Sequence, residues 1–348
     1  MNGYVHPDLR WAVVGDIGGT NARFGLVDLA ADRLEVSRAR GFKVSDFVRA
    51  TDALTAYLAE NGLTTRLSGA AMAVAGPVEN GAIRLTNSHW TLSEAELLQL
   101  GFGSARLLND YAALALSTPL LDDADVRVLG PRVEGAPGGG VAVVGPGTGF
   151  GVSALVRDDL GEAVLTTEGG HSAYAPEDEV EIEILRRLGW KYGRVSIERV
   201  LCGQGMRDLH DVLAETGGRK PPQLSQEEVT RLALAGDPDC LATVERFCAI
   251  LGGVAGDFAL TLGARGGVFI AGGIPPRILE ILEHSRFRSR FEAKGRFQPY
   301  LAAIPTRVIV RPHAALLGAA NGLRTLLQKE NVDDWPVAQS GRHTGPDH

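Results

Sequence analysis

Val13-Val14-Gly15-Asp16-Ile17-Gly18-Gly19-Thr20-Asn21-Ala22-Arg23-Phe24-Gly25-Leu26-Val27-Asp28 is the stretch on which the reading of the fold turns. The apolar run from Trp11 to Val14 predicts a buried strand. Gly18-Gly19 predict a tight turn, and Phe24 to Val27 a returning strand. The product is a β-hairpin whose tip carries a carboxylate, two glycines, a hydroxyl and an amide. Glycines let a backbone approach a ligand and aim its N–H groups at an anion. Thr20 and Asn21 add side-chain donors, and Asp16 is placed to contact magnesium or its water shell. Taken alone, the stretch also fits an ordinary hairpin with an aspartate near its turn. It is not a P-loop, because no G-x-x-x-x-G-K-[ST] occurs. It is not a Rossmann turn either, because no helix follows the glycines.

Val141 to Val156 repeat the plan. The strand Val141-Ala142-Val143-Val144 runs into Gly145-Pro146-Gly147-Thr148-Gly149, and Val152 to Val156 continue as strand. Two strand–turn–strand units over a hundred residues apart predict a duplicated fold with one phosphate loop per half, closing on a nucleotide. A third glycine site, Ala271-Gly272-Gly273, follows the strand Val268-Phe269-Ile270. There a backbone can pass close to a flat adenosine.

At 348 residues the chain suits two domains, each able to bury a core. The net charge of −7 and the lack of a basic stripe argue against nucleic acid as a partner. Cys202, Cys240 and Cys248 form no C-x-x-C pair, so neither a disulfide framework nor a structural zinc site is expected. No apolar segment precedes Trp11 to act as a signal, and Phe247 to Leu262 is short for a bilayer and interrupted by Asp257. A reducing cytoplasm, with no membrane partner, is the simplest setting.

Along the chain, the pattern predicts a helix from Ser45 through Leu58, a strand over Gly69–Val74 and a short helix capped by Ser93. A strand at Arg106–Leu108 then leads into a helix from Asn109-Asp110 through Leu116. Residues 120–140 turn acidic and then Pro- and Gly-rich, which marks a boundary. Further helices are predicted at 177–188, 197–202, 226–235, 240–262 and 276–284, then a strand at 306–310 and a helix at 314–327. Gly252, Gly253 and Gly256 weaken the helix at 240–262 but let another backbone pack against it. The expected division is 1–120 plus 311–330 as a small α/β domain, 121–310 as a large one, and 331–348 as a disordered tail.

Several side chains stand where chemistry is expected. Asp110 lies where a strand ends and a helix begins, the edge at which α/β proteins bind ligands; it could also simply cap that helix. Asn109 beside it can donate to one oxygen and accept from another, or serve as a turn residue. The Glu168-Gly169-Gly170-His171 loop can fold tightly enough to face both side chains to one ligand, which suits vicinal hydroxyls. No second His or Cys accompanies His171 to make a metal site. Glu198, at a helix start, is also placed where the helix dipole favours an acid. Asn87 lies in a polar loop.

The Asp-x-Gly-Gly-Thr hairpin, the Gly-x-Gly-Thr-Gly-x-Gly hairpin and the Ala-Gly-Gly strand end resemble those of the actin–hexokinase–Hsp70 ATPase superfamily. Leu107-Leu108-Asn109-Asp110, Thr167-Glu168-Gly169-Gly170-His171 and Glu198-Arg199-Val200-Leu201 resemble, in the same order, motifs of the proteobacterial type of bacterial glucokinase. The resemblance covers residues 11 to 327. It implies an α/β, two-domain, actin-like/hexokinase-like (ribonuclease H-like) duplicated fold with a cleft between the domains. The implied activity is ATP-dependent phosphorylation of glucose at the 6-hydroxyl, with Asp110 as general base kept ionised by its helix N-terminus. Asn87, Asn109, Glu168, His171 and Glu198 would bind the sugar. Asp16, Gly18, Gly19, Thr20, Asn21, Gly147, Thr148, Gly149, Gly272 and Gly273 would bind the nucleotide, with magnesium held mainly by ATP and water. A homodimer is implied as well. Ser172 to Gly189 lacks the cysteine cluster of the zinc-bearing ROK kinases and repressors, and no helix-turn-helix precedes the first hairpin. A sugar-responsive regulator and a conformationally driven ATPase remain the rival classes. Asp110 and the lack of a DNA-binding segment speak against the first, and the polar set suited to a sugar, Asn109, Asp110, Glu168, His171 and Glu198, against the second.

Overall fold

The computed structural model describes residues 10–63, 67–85, 88–158 and 161–333. In the first half, β1 (Trp11–Ile17), β2 (Asn21–Asp28) and β3 (Ser37–Lys43) lead to α1 (Ala50–Glu60) and β4 (Gly69–Val74). A small ribbon of β5 (Ala82–Arg84) and β6 (Thr91–Ser93) follows, then α2 (Glu94–Gln99), β7 (Ser104–Asn109) and α3 (Asp110–Ser117). The second half opens with β8 (Val126–Val128), β9 (Val141–Pro146), β10 (Phe150–Asp158) and β11 (Gly161–Thr167). Helices α4 (Glu179–Tyr192), α5 (Ile197–Val200), α6 (Gly203–Thr216), α7 (Gln226–Leu234) and α8 (Pro238–Thr261) come next. The chain ends with β12 (Gly267–Ile270), α9 (Leu279–His284), α10 (Phe287–Glu292), α11 (Gln298–Ala302), β13 (Thr306–Ile309) and α12 (Ala314–Asp333).

The duplication is visible in the sheets. The first has the order β3-β2-β1-β4-β7 and the second β11-β10-β9-β12-β13-β8. In each, an antiparallel hairpin (β1–β2, β9–β10) continues into parallel neighbours (β1–β4–β7, β9–β12–β13). The central strands β4 and β9 are buried along their whole length, as parallel strands covered on both faces must be. Their sequences, GAAMAV and VAVVGP, are accordingly continuous small and β-branched runs.

One core layer lies between the two sheets. Ala113 and Leu116 of α3 and Leu316, Leu317 and Ala320 of α12 pack between Val14 and Ala71 of the first sheet and Val143 and Phe269 of the second. The last helix packs on β1 and β4 of the first half as well as on α3. It lies so close to α3 that a Cβ on Gly318 would sit 1.6 Å from the Ala113 carbonyl oxygen.

Some expected boundaries shift. The helix expected from Ser45 is a 3-10 turn, Val44–Asp46, and α1 starts only at Ala50. There the Arg49 N–H donates to Asp52 Oδ2 at 3.1 Å, closing the first turn. Ser93 caps α2 as expected, accepting from the Glu96 N–H at 3.2 Å. The final helix continues to Asp333, so the expected tail begins inside it; residues 334–348 lie outside the described residues. Gly252 and Gly256 of α8 serve close packing within the second half, since Cβ atoms there would meet the carbonyl oxygens of Phe287 and Phe291 on α10 at 2.1 and 2.5 Å. Strands β3 and β11 carry no apolar alternation and are largely exposed, which is why no periodicity marks them.

Because Gly318 faces a carbonyl rather than a flexible side chain, Gly318→Ala must push α12 off α3. The expected loss is about 1–3 kcal/mol, read as a lower urea midpoint at unchanged slope. A midpoint within error of the parent would contradict this packing.

Candidate active site

The site forms where the carboxyl ends of β1, β4 and β7 face those of β9 and β12. Asn109 ends β7 and caps α3. Its Oδ1 accepts from the N–H groups of Tyr111 and Ala112 at 2.9 and 3.2 Å, and its Nδ2 donates to the Gly76 carbonyl at 3.2 Å. Such a cap contributes about 1 kcal/mol. It also leaves only one Nδ2 hydrogen for a ligand, so the amide is mostly committed to the scaffold. The capping role open to Asp110 in the sequence therefore falls to its neighbour.

Asp110 is the first residue of α3, and its Oδ1 accepts from the Tyr111 N–H at 3.0 Å. That bond and the helix N-terminus favour the ionised form. Burial outweighs them, and the nearby Asp16 and Glu168 charges add to it, so the Asp110 carboxyl is pushed up to about 7. The helix end is thus outweighed, contrary to the expectation that it keeps Asp110 ionised. Asp16, paired across the hairpin with Arg23, is likewise raised, chiefly by burial, with Arg23 opposing. Asp16, Asp110 and Glu168 thus converge on one cleft although they come from three distant parts of the chain.

The second half supplies the facing groups. The Glu168 loop closes in a 3-10 turn, Gly169–His171. Its glycines are required by proximity: a Cβ at Gly170 would meet the Phe150 carbonyl oxygen at 2.0 Å. Arg194 anchors the loop, donating to the His171 carbonyl at 2.7 Å. The His171 ring stands between two carboxylates, with Nε2 3.9 Å from Glu168 Oε2 and Nδ1 4.0 Å from Glu198 Oε1. Those gaps are too wide for direct hydrogen bonds. Glu198 is also structural, since its Oε2 accepts from the Phe150 N–H at 2.9 Å and fixes the start of β10. Its other oxygen is the one turned to His171. Asn87 lies outside the described residues.

The three glycine turns sit at the rim. The first is closed by Gly18 N–H to the Asn21 carbonyl at 2.9 Å, the second by Gly147 N–H to the Gly149 carbonyl at 2.8 Å. Thr20, Asn21, Thr148 and Gly273 are exposed, and open space surrounds Gly273. Gly272, at φ +90°, is held by packing, because a Cβ would lie 2.3 Å from the Pro146 carbonyl oxygen. Gly149 similarly makes room for Glu198. The nucleotide set therefore divides into open turn positions and two, Gly149 and Gly272, whose lack of a Cβ lets Glu198 and Pro146 approach.

Asp16 is raised by burial, and Asp110 by burial and by the Asp16 charge, an environment that favours a cation nearby. Asp16 fits the water shell of a magnesium ion carried with phosphates, approached from the hairpin side. Tyr111 was missed from the sequence. It runs from α3 to Gly145, and nothing in its immediate sequence marks it. Among the described residues no helix is long and apolar enough to cross a membrane, and no group of three or more His, Cys, Asp or Glu could hold a metal.

The native state binds the Asp110 proton more tightly than the unfolded chain does. This group's contribution therefore makes the fold less stable as pH rises from the ordinary carboxylate range through about 7. Asp110→Asn keeps the acceptor for the Tyr111 N–H and removes the charge. It should raise unfolding stability at pH 8 by on the order of 1–4 kcal/mol, with little change at pH 4. Equal denaturation curves for variant and parent at both pH values would contradict the shift.

Compared with known proteins, the chain matches the family model described as Glucokinase over residues 13–326. A glucokinase of Caulobacter sp. (strain K31) is 54% identical over 309 residues, covering 88% of this chain and 93% of the relative. The crystal structure of a glucokinase from an Antarctic psychrotroph superposes with a TM-score of 0.82 at 36% identity, covering 91% and 99% of the two chains. A ROK family glucokinase from Streptomyces griseus, solved with glucose and AMPPNP, shares the fold at 17% identity, with a TM-score of 0.61 and coverage of 89% and 98%.

Proposed function

This chain belongs to the glucokinase family and phosphorylates glucose with ATP, and we propose that the γ-phosphoryl group goes to the sugar 6-hydroxyl with Asp110 as general base. The observation that carries the base assignment is the Asp110 carboxyl, half-buried at the start of α3 with Asp16 and Glu168 nearby, and pushed up to about 7. A base is most effective when its pKa lies near the working pH.

The hydroxyl donates its hydrogen to Asp110 and its oxygen attacks the γ-phosphorus. The new O–P bond forms as the bond to the β-phosphate bridging oxygen breaks, ADP leaves, and the proton stays on Asp110 until water removes it. Such a transition state is loose, so positioning and charge neutralisation contribute most of the rate. Glu168, His171 and the free oxygen of Glu198 hold the ring hydroxyls. The gaps of about 4 Å beside His171 leave room for hydroxyl oxygens to bridge the imidazole and the carboxylates. Asn109 contributes its one remaining hydrogen, and Asn87 is kept as a sugar contact from the resemblance. The turns built on Gly18, Gly19, Gly147 and Gly149 let the phosphates approach the backbone, Thr20, Asn21 and Thr148 offer side-chain donors, and Gly272-Gly273 border the adenosine; the Gly18 and Gly147 N–H groups themselves close the turns. Magnesium bound with ATP would neutralise phosphate charge, with Asp16 nearest to it.

The same reading takes 1–120 with 311–330 as one closing domain and 121–310 as the other, supported by the two sheets and by α12 packing on α3, β1 and β4. Closure keeps water from competing as acceptor. A homodimer and a cytoplasmic location complete the reading on the strength of the resemblance.

ADP release from Mg-ATP should depend on glucose. Asp110→Asn should lose about a thousandfold or more in kcat while still binding glucose. In the parent, kcat/KM for glucose should fall on the acid side with a midpoint near 7. Release of ADP at the same rate without sugar would overturn the kinase reading. A variant within tenfold of the parent would overturn the base.

A further inference from the structure

Tyr111 follows Asp110 on α3, yet its side chain reaches across to the second half. Its Oη donates to the Gly145 carbonyl at 2.5 Å. Its ring lies so flat on Gly151 that a Cβ there would sit 2.0 Å from Cδ2 and from Cε2. Its Oη also lies 3.1 Å from where a Cβ on Gly272 would be. One side chain therefore touches the end of β9, the start of β10 and the turn after β12. These are the segments that frame the second-half nucleotide turns.

We propose that Tyr111 is a positioning residue for phosphoryl transfer, fixing the reach between Asp110 and the turns that hold the phosphates. The proposal rests on Asp110 being the base. Residues 110 and 111 are consecutive in the first turn of a helix, so their backbones move as one rigid piece. For the phosphate turns to drift from Asp110, the bond to Gly145 must break or the ring must slide off Gly151. A misplacement of about 1 Å can cost a hundredfold in rate. The ring alone would fill the space; the hydroxyl adds direction, because its partner is one backbone carbonyl at the base of the Gly147–Gly149 turn.

The test compares Tyr111→Phe, Gly151→Ala, the double variant and Tyr111→Leu with the parent. The readouts are kcat, KM for glucose and for ATP, pH–rate profiles and melting temperature. Tyr111→Phe should lose about tenfold in kcat, with KM for glucose within twofold and melting little changed. Gly151→Ala should lose kcat likewise by lifting the ring from its seat. The double variant should be no worse than the poorer single one, because both break the same contact. Tyr111→Leu removes both the ring and the hydroxyl, so it should lose at least as much kcat as Tyr111→Phe. Parental kcat in Tyr111→Phe, or losses that multiply in the double variant, would overturn the proposal. An inactive Asp110→Asn beside a fully active Tyr111→Phe would remove the positioning role alone. An active Asp110→Asn would remove the base assignment on which it rests.

Discussion

Helix α3 is held between the two sheets, and the site depends on how tightly. On one side α12 lies against its backbone at Gly318. On the other, Tyr111 lies on Gly151 and reaches the Gly145 carbonyl. Interiors packed this closely do not deform continuously. The helix start, with Asp110 on it, therefore has a defined place relative to the strand ends of both halves. The Asn109 cap fixes the same point from the first sheet. The surrounding groups are arranged around that point: Asp16 from the first hairpin, and Glu168, His171 and Glu198 from the second half.

Two effects compete at Asp110, and their magnitudes decide the outcome. A helix N-terminus stabilises a negative charge by about 0.3–1 kcal/mol. Moving a carboxyl from its ordinary range to about 7 corresponds to roughly 4 kcal/mol in the opposite sense. Desolvation beside a second, half-buried carboxylate wins, and the fold is less stable for it. The same cleft that destabilises the ionised carboxylate makes it an acceptor for a hydroxyl proton. Glu198 shows a related economy: one oxygen holds β10 in place and the other is left for a ligand.

Much of this was legible in the sequence. The paired hairpins announced themselves by continuous apolar strands ending in Gly/Thr turns, and their repetition implied the duplicated sheets. β4 was read at its observed limits because a fully buried strand leaves an uninterrupted run, Gly69–Val74. Exposed edge strands such as β3 leave no such pattern. The site was legible as residue types but not as duties. Asn109 looks like a ligand residue and spends most of its amide on a cap. Gly149 and Gly272 look like phosphate glycines and serve largely to bring Glu198 and Pro146 close. Tyr111 could not be found, because its partners Gly145, Gly151 and Gly272 lie 34 to 161 positions away and only the fold brings them together.

Desolvation and the Asp16 charge together push the Asp110 carboxyl up to about 7. The direct test is a carboxyl ¹³C NMR titration of the ligand-free protein labelled at aspartate, assigned with Asp110→Asn and repeated on Asp16→Asn. One resonance should titrate near 7, be absent from the first variant and shift to lower pH in the second. An Asp110 resonance that titrates in the ordinary carboxylate range in the parent would contradict it.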